Sequence, residues 1–180
     1  MATVYLVRHC KASGQEPEAH LTEEGQHQAE RLADLFADKK VDRIVSSPFL
    51  RAVASVRPLA DRIGVTVETD VRLEERVLST EHLSNWMELL AQTYFDMNIK
   101  FAGGESSLEA GSRGMAVLRE LSQGRHRNIV VCTHGNLLSL MLKHYHPAFG
   151  FEEWKKLTNP DVFESVLTDG EIISLHRIWS

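Results

Sequence analysis

The stretch that decides the fold is "TVYLVRHC", residues 3–10. Its first five residues form a short β-branched and aromatic run, which predicts a strand near the amino end. An arginine, a histidine and a cysteine follow at once, and each of the three side chains can take part in chemistry on a phosphate. The same order of apolar run, polar junction and helix signal recurs twice. "DRIVSSPFLR" (42–51) reads as a short strand ending in small polar residues, before a helix over about Phe49–Ile63. "NIVVCTHGN" (128–136) reads as the clearest buried strand, before the short apolar helix "NLLSLMLKHY".

The segments between these junctions fit the same alternation. "LTEEGQHQAERLADLFADKK" (21–40) predicts a helix with Thr22 as N-cap and Glu23 and Glu24 in its first turn. Its apolar face is Ala29, Leu32, Ala33 and Phe36, spaced i, i+3, i+4, i+7. Val56, Leu59, Ala60 and Ile63 line one face of the next helix, with Gly64 as its C-terminal cap. "VTVET" (65–69) is a third strand. "SSLEAGSRGMAVLRELSQG" (106–124) opens on a capping box, Ser106 and Glu109, and "FESVLTDGEIISLHRIW" (163–179) predicts a hairpin about Asp169-Gly170. The stretch 77–104 is less regular, with a helix behind Ser84 in "SNWMELLAQTYFD", and reads as a cap-like helical excursion off the sheet. Strands alternating with amphipathic helices predict a βαβ-type layered α/β fold. With no repeat, low-complexity tract or linker, residues 1–180 are expected to form one domain.

Composition narrows the function classes. Hydrophobic residues make up 43% and charged residues 25% of 180, as in an ordinary globular protein. A net charge of −5 without a Lys/Arg-rich block argues against a nucleic-acid or anionic-membrane surface. No apolar run approaches the ~20 residues that span a bilayer. Without a signal-peptide pattern, and with only Cys10 and Cys132, a reducing cytoplasm is the expected compartment.

In parallel α/β sheets the carboxyl ends of the strands open on the ligand crevice. Arg8, His9, Arg51 and His134 stand at three such ends and are therefore expected to converge on one pocket. Within "RHC", the cysteine is the tempting nucleophile. Cysteine-dependent phosphatases, however, close their loop with an arginine six positions on, and here that position is Glu16, which repels phosphate. Cys10 is better read as a small buried filler. A neutral imidazole is nucleophilic near pH 7 and can carry a phosphoryl group, provided its other nitrogen gives its proton to a fixed acceptor. Arg8 and Arg51 can hold phosphate oxygens bidentately, and His134 opens a helix whose free N–H groups favour an anion.

"VYLVRHC", "LTEEGQHQA", "SSPFLRA", "RLEER", "GGES" and "VVCTHGN", in this order, resemble the histidine phosphatase superfamily, of which cofactor-dependent phosphoglycerate mutase is the familiar member. The resemblance implies a three-layer α/β/α sandwich with a mostly parallel central sheet. It implies His9 as phosphorylated nucleophile, with Arg8, Arg51 and His134 clamping the phosphate. It also implies a carboxylic acid from "RLEER" as proton donor, aligned best with Glu75 and next with Glu74. Gln15, Thr22, Glu105 and Asn136 could reach substrate. Thr22 reads equally as a helix cap, Asn136 as a structural hydrogen-bonder, and Glu105 as a residue that orders the helix behind Ser106. Glu75 has its own plainer reading, an ion pair with Arg72 or Arg76. Cys10 stands where the family usually has glycine, which would bring a thiol to the pocket lining.

The segment "KASGQ" lacks the sequence typical of mutases after "RH", and the chain is short for a mutase. Hydrolysis of a small phosphorylated metabolite is therefore expected, without metal or organic cofactor. The alternatives are a phosphoglycerate mutase-type phosphotransferase and a non-catalytic phospholigand-binding module. His144, His146 and His176 read as surface histidines, since i, i+2 spacing on a helix end points the rings to different faces. Trp86, Leu90 and Tyr94 form a stripe that either covers the substrate or packs on the sheet.

Overall fold

The computed structural model describes residues 1–180. Six strands form one sheet: β1 (Ala2–Arg8), β2 (Arg43–Ser46), β3 (Val67–Thr69), β4 (Asn128–Thr133), β5 (Asp161–Thr168) and β6 (Glu171–Arg177). Their order is β3-β2-β4-β1-β5-β6. The first three pairings across the sheet are parallel, and β5 and β6 add an antiparallel edge. The sheet is thus mostly parallel, as the resemblance implied.

Strand alternation puts a core on each face. Val4 and Leu6 of β1 join one core with helices α4 (Ser107–Gln123) and α5 (Gly135–Tyr145). Tyr5 and Val7 join the other with α1 (Glu23–Leu35) and α2 (Leu50–Ile63). Val130 and Val131 of β4 divide between the two cores in the same way, so the layers are α/β/α. Two short helices, α3 (Trp86–Gln92) and α6 (Phe151–Lys155), lie outside this frame. No helix is long and apolar enough to cross a membrane.

Several local expectations hold for the reasons given. The Thr22 hydroxyl caps α1, accepting from Gly25 N at 3.0 Å. Gly64 ends α2 at φ 70°, which needs no Cβ. Asp169 and Gly170 both have positive φ, the demand of a type I′ hairpin turn. Others shift. The helix expected behind Ser84 starts at Trp86 and stops at Gln92, with the Thr93 hydroxyl beyond it donating to Leu90 O at 2.6 Å. The Ser106 box is half formed: Ser106 accepts from Glu109 N, but the Glu109 carboxylate goes to Lys100 at 3.1 Å. Ile63, last on its apolar stripe, remains partly exposed, and α6 carries no signal strong enough to predict it.

Candidate active site

Three parallel strands deliver their ends to one place. Arg8 pairs with Thr133 and Ser46 with Cys132, so β1, β4 and β2 finish at one level. Two further bonds extend the ladders, His9 N to Thr133 O at 3.0 Å and Ser47 N to Cys132 O at 2.9 Å. His9, His134 and Ser47 therefore stand side by side. The two imidazole rings are 5.1 Å apart, and His134 Nε2 lies 2.8 Å from Ser47 Oγ.

The His9 ring has one tautomer only. Its Nδ1 faces the Cys10 carbonyl at 2.7 Å, an acceptor, and its Nε2 faces Arg51 Nε at 3.2 Å, a donor. The proton must sit on Nδ1 and the lone pair on Nε2. Burial, against which the Cys10 hydrogen bond works, pushes the His9 pKa down to about 3, and the Arg51 and Arg8 charges add to the fall. The ring is neutral at pH 7, and Asn159 Nδ2 holds its carbonyl at 2.9 Å. His134 is likewise held well below its ordinary value by burial, and its Nδ1 is buried without a partner.

Arg51, in the first turn of α2, is 1% exposed, yet no carboxylate pairs with it. Its guanidinium donates to Glu16 O at 2.9 Å and lies over the Phe49 ring. Arg8 donates to Leu157 O at 3.0 Å, just beyond α6, and its Nε is buried with no acceptor. A Cβ on Gly135 would overlap the Arg8 guanidinium at 2.8 Å, so the glycine of "THG" makes room for that cation. Two arginines without a carboxylate partner beside two neutral imidazoles, with Arg8 Nε and His134 Nδ1 left unpaired, are suited to a tetrahedral anion.

Glu75 corrects one expectation. The N–H groups that open α5 are not left for phosphate: Asn136 N and Leu137 N donate to the Glu75 carboxylate at 3.0 and 2.9 Å, and Arg76 N donates at 2.8 Å. A side-chain carboxylate has taken the anion position at the helix start. The ion pair considered for Glu75 is also absent: Arg72 pairs with Asp70 and Glu120, and Arg76 with no acid. Behind Glu75, Arg113 of α4 donates to Arg72 O and Glu74 O, and Thr133 Oγ1 to Leu73 O at 2.7 Å. Glu75, not Glu74, faces the pocket.

That pocket, of about 420 Å³, is lined by Arg8, Gln15, Glu75, Arg76 and Asn136 and by the apolar Leu78, Trp86, Leu90 and Trp154. Gln15 and Asn136 thus reach it, with Asn136 Nδ2 also donating to Tyr94 Oη at 3.2 Å. Thr22 does not belong to the group, because its hydroxyl is committed to the α1 cap. Glu105 does not either: Arg113 takes its carboxylate at 2.7 and 2.9 Å, and Val77 N takes one oxygen at 3.0 Å. Its effect is to hold the segment that carries Glu75. Nor does the Cys10 thiol line the pocket; it is wholly buried in the α1–α2 core, and burial pushes its pKa up to about 11.

Arg76 was missed as a site residue. It is 6% exposed and held by neutral acceptors only, Glu105 O at 3.0 Å among them. Its signal was present in "RLEER", where a second arginine beside the acid reads too easily as a surface ion pair. Ser47 and Trp154 were missed because nothing local marks them. Of the tryptophan-led stripe, Leu90 and Tyr94 are core, whereas Trp86 is 47% exposed at the pocket.

The family model for the histidine phosphatase superfamily (branch 1) matches residues 4–170. Among curated relatives, a provisionally named phosphoserine phosphatase 2 from Hydrogenobacter thermophilus is 27% identical, over 77% of this chain and 75% of that one. A glucosyl-3-phosphoglycerate phosphatase from Mycolicibacterium vanbaalenii is 28% identical over 67% of this chain and 60% of its own length. The solved mycobacterial glucosyl-3-phosphoglycerate phosphatase with inorganic phosphate superposes at a TM-score of 0.77 and 21% identity, covering 99% and 96% of the two chains. At that identity the superposition speaks for the fold.

Proposed function

The chain belongs to the histidine phosphatase superfamily (branch 1) and is a phosphomonoesterase, and from that premise we propose that His9 is its covalent nucleophile. The observation that carries this reading is the paired hydrogen bonding of one ring, Nδ1 to a carbonyl and Nε2 to a guanidinium. An incoming phosphate takes over the Arg51 Nε–H, and the freed Nε2 lone pair attacks phosphorus. As the N–P bond forms, the P–O bond to the leaving group breaks, and the proton that a phosphate monoanion brings into the site passes through the Glu75 carboxylate to that oxygen. Water then attacks phosphorus and yields its proton to Glu75, and inorganic phosphate leaves. Arg8, Arg51 and His134 hold the phosphoryl oxygens through both steps. Each guanidinium contributes a gross attraction of roughly 4 kcal/mol at ~4 Å and an effective dielectric of ~20, much of it offset by desolvation.

The substrate class is a small phosphomonoester whose leaving group carries a carboxylate. Arg76 supports this, as a buried cation lining the pocket without an acidic partner. Phosphoserine and glucosyl-3-phosphoglycerate, after which the relatives are named, both have that group. Two buried free thiols accord with a reducing, cytoplasmic setting.

A panel of phosphomonoesters with and without 2,3-bisphosphoglycerate tests the reading. Release of inorganic phosphate without the primer, through an acid-labile phosphoenzyme, is expected. Primer-dependent isomerisation of 3-phosphoglycerate would indicate a mutase, and phosphoester binding without turnover a binding module.

A further inference from the structure

The pocket proposed to hold the leaving group has a neighbour with which it shares two lining residues. Trp86, at the start of α3, lines the main pocket together with Leu78. The same two residues line a second cleft of about 260 Å³, whose other walls include Ser79, Glu81 and His82. One indole therefore borders both spaces, nearly half exposed, while the Glu81 and His82 side chains are in no ion pair.

This wall is held in place. Ser79 Oγ and Thr80 N donate to Ala102 O at 2.8 and 3.0 Å, and Glu105 N donates to Val77 O at 2.8 Å. The two strips meet this closely because residues 103 and 104 are glycines. A Cβ at 103 would overlap Thr80 and one at 104 the Leu78 carbonyl, and Gly103 has φ 69°. Trp86 is thus a platform beside a braced loop.

We propose that this adjoining cleft, with the Trp86 indole on its border, is a subsite for a hydroxylated ring, a sugar joined to the phosphate-bearing acid. The proposal rests on the phosphomonoesterase reading and adds the shape of the leaving group. The apolar C–H face of a sugar ring covers the indole, which removes exposed aromatic surface from water. Its hydroxyls meet the Glu81 carboxylate, an acceptor, and the His82 ring. A plain aryl group would cover the indole equally well but would strip water from Glu81 and His82 without replacing its hydrogen bonds.

The test compares kcat/KM for glucosyl-3-phosphoglycerate, 3-phosphoglycerate and phenyl phosphate. The wild type should prefer the glycosylated ester over 3-phosphoglycerate. Trp86→Ala should lower that preference about tenfold, mostly through KM, and Glu81→Gln about threefold, with Trp86→Tyr restoring most of the loss. Equal use of both acids by the wild type, or an unaltered preference in Trp86→Ala, would overturn the subsite while leaving the phosphatase reading intact. So would an equal Trp86 dependence for phenyl phosphate, which would mark a general apolar wall. Failure of all three esters to release phosphate would remove both readings together.

Discussion

His9, Arg51 and His134 at the strand ends form a buried floor to the site, bonded to one another or to neutral groups and outside the lining of the pocket of about 420 Å³, whereas at the mouth Trp86, Glu81 and His82 are exposed. The floor is made of strand ends whose register the sheet dictates. The mouth comes from the excursion between the third strand and α4, braced by loop contacts. Buried charges without counter-ions are costly, and such a cluster persists only where the surrounding structure holds it in place. On the proposed reading the contrast separates two tasks: bond making at the buried floor, and choice of leaving group at the exposed mouth.

The largest expected effect breaks the contrast at its centre. His9→Ala should lower turnover by at least about 10⁴-fold and abolish radiolabelled phosphoenzyme; retained label would move the reaction elsewhere. Glu75→Gln should cost about 10²–10³-fold with alkyl phosphates but about tenfold or less with p-nitrophenyl phosphate, whose leaving group needs no proton. A uniform loss across both esters would assign Glu75 to orientation of α5 instead.

The third effect is on stability. The folded pKa of His9, about 3, lies below its unfolded value near 6.5, and His134 shifts in the same direction. Between pH 6.5 and 3 the unfolded chain takes up protons that the folded ring refuses. Stability is therefore full above 6.5 and falls as pH drops, by up to about 1.4 kcal/mol per pH unit for each such ring. Urea midpoints at pH 7 and pH 5 should show the decline, and His9→Gln should flatten it. An unchanged slope would mean that the imidazole is hydrated at the floor. The smallest effect sharpens the boundary of the floor: Cys10→Ala should keep activity within about threefold and cost about 1 kcal/mol of stability. A large loss of turnover would extend the reactive centre to the thiol.

Much of the floor was legible in short motifs. "TVYLVRHC", "SSPFLR" and "CTHGN" each join a strand to its next residues, and parallel pairing suffices to bring such junctions together. Thr22 and Glu105 show the limit. Both are polar residues near site motifs, yet one serves a helix cap and the other an arginine, because the nearest unsatisfied group claims them first. Arg76 failed in the opposite direction: its charge suggested a surface pair, and only its burial reveals it as a lone cation.

From the order of residues alone came the layered fold, the gathering of Arg8, His9, Arg51 and His134 at strand ends and the preference for histidine over cysteine. These follow from local periodicity and from the functional groups themselves. Tertiary structure alone decided which carboxylate occupies the start of α5, which tautomer His9 adopts, and that Trp86 and Trp154 line one pocket. Each depends on groups far apart in the chain meeting at hydrogen-bonding or contact distance, and no local pattern encodes such a meeting.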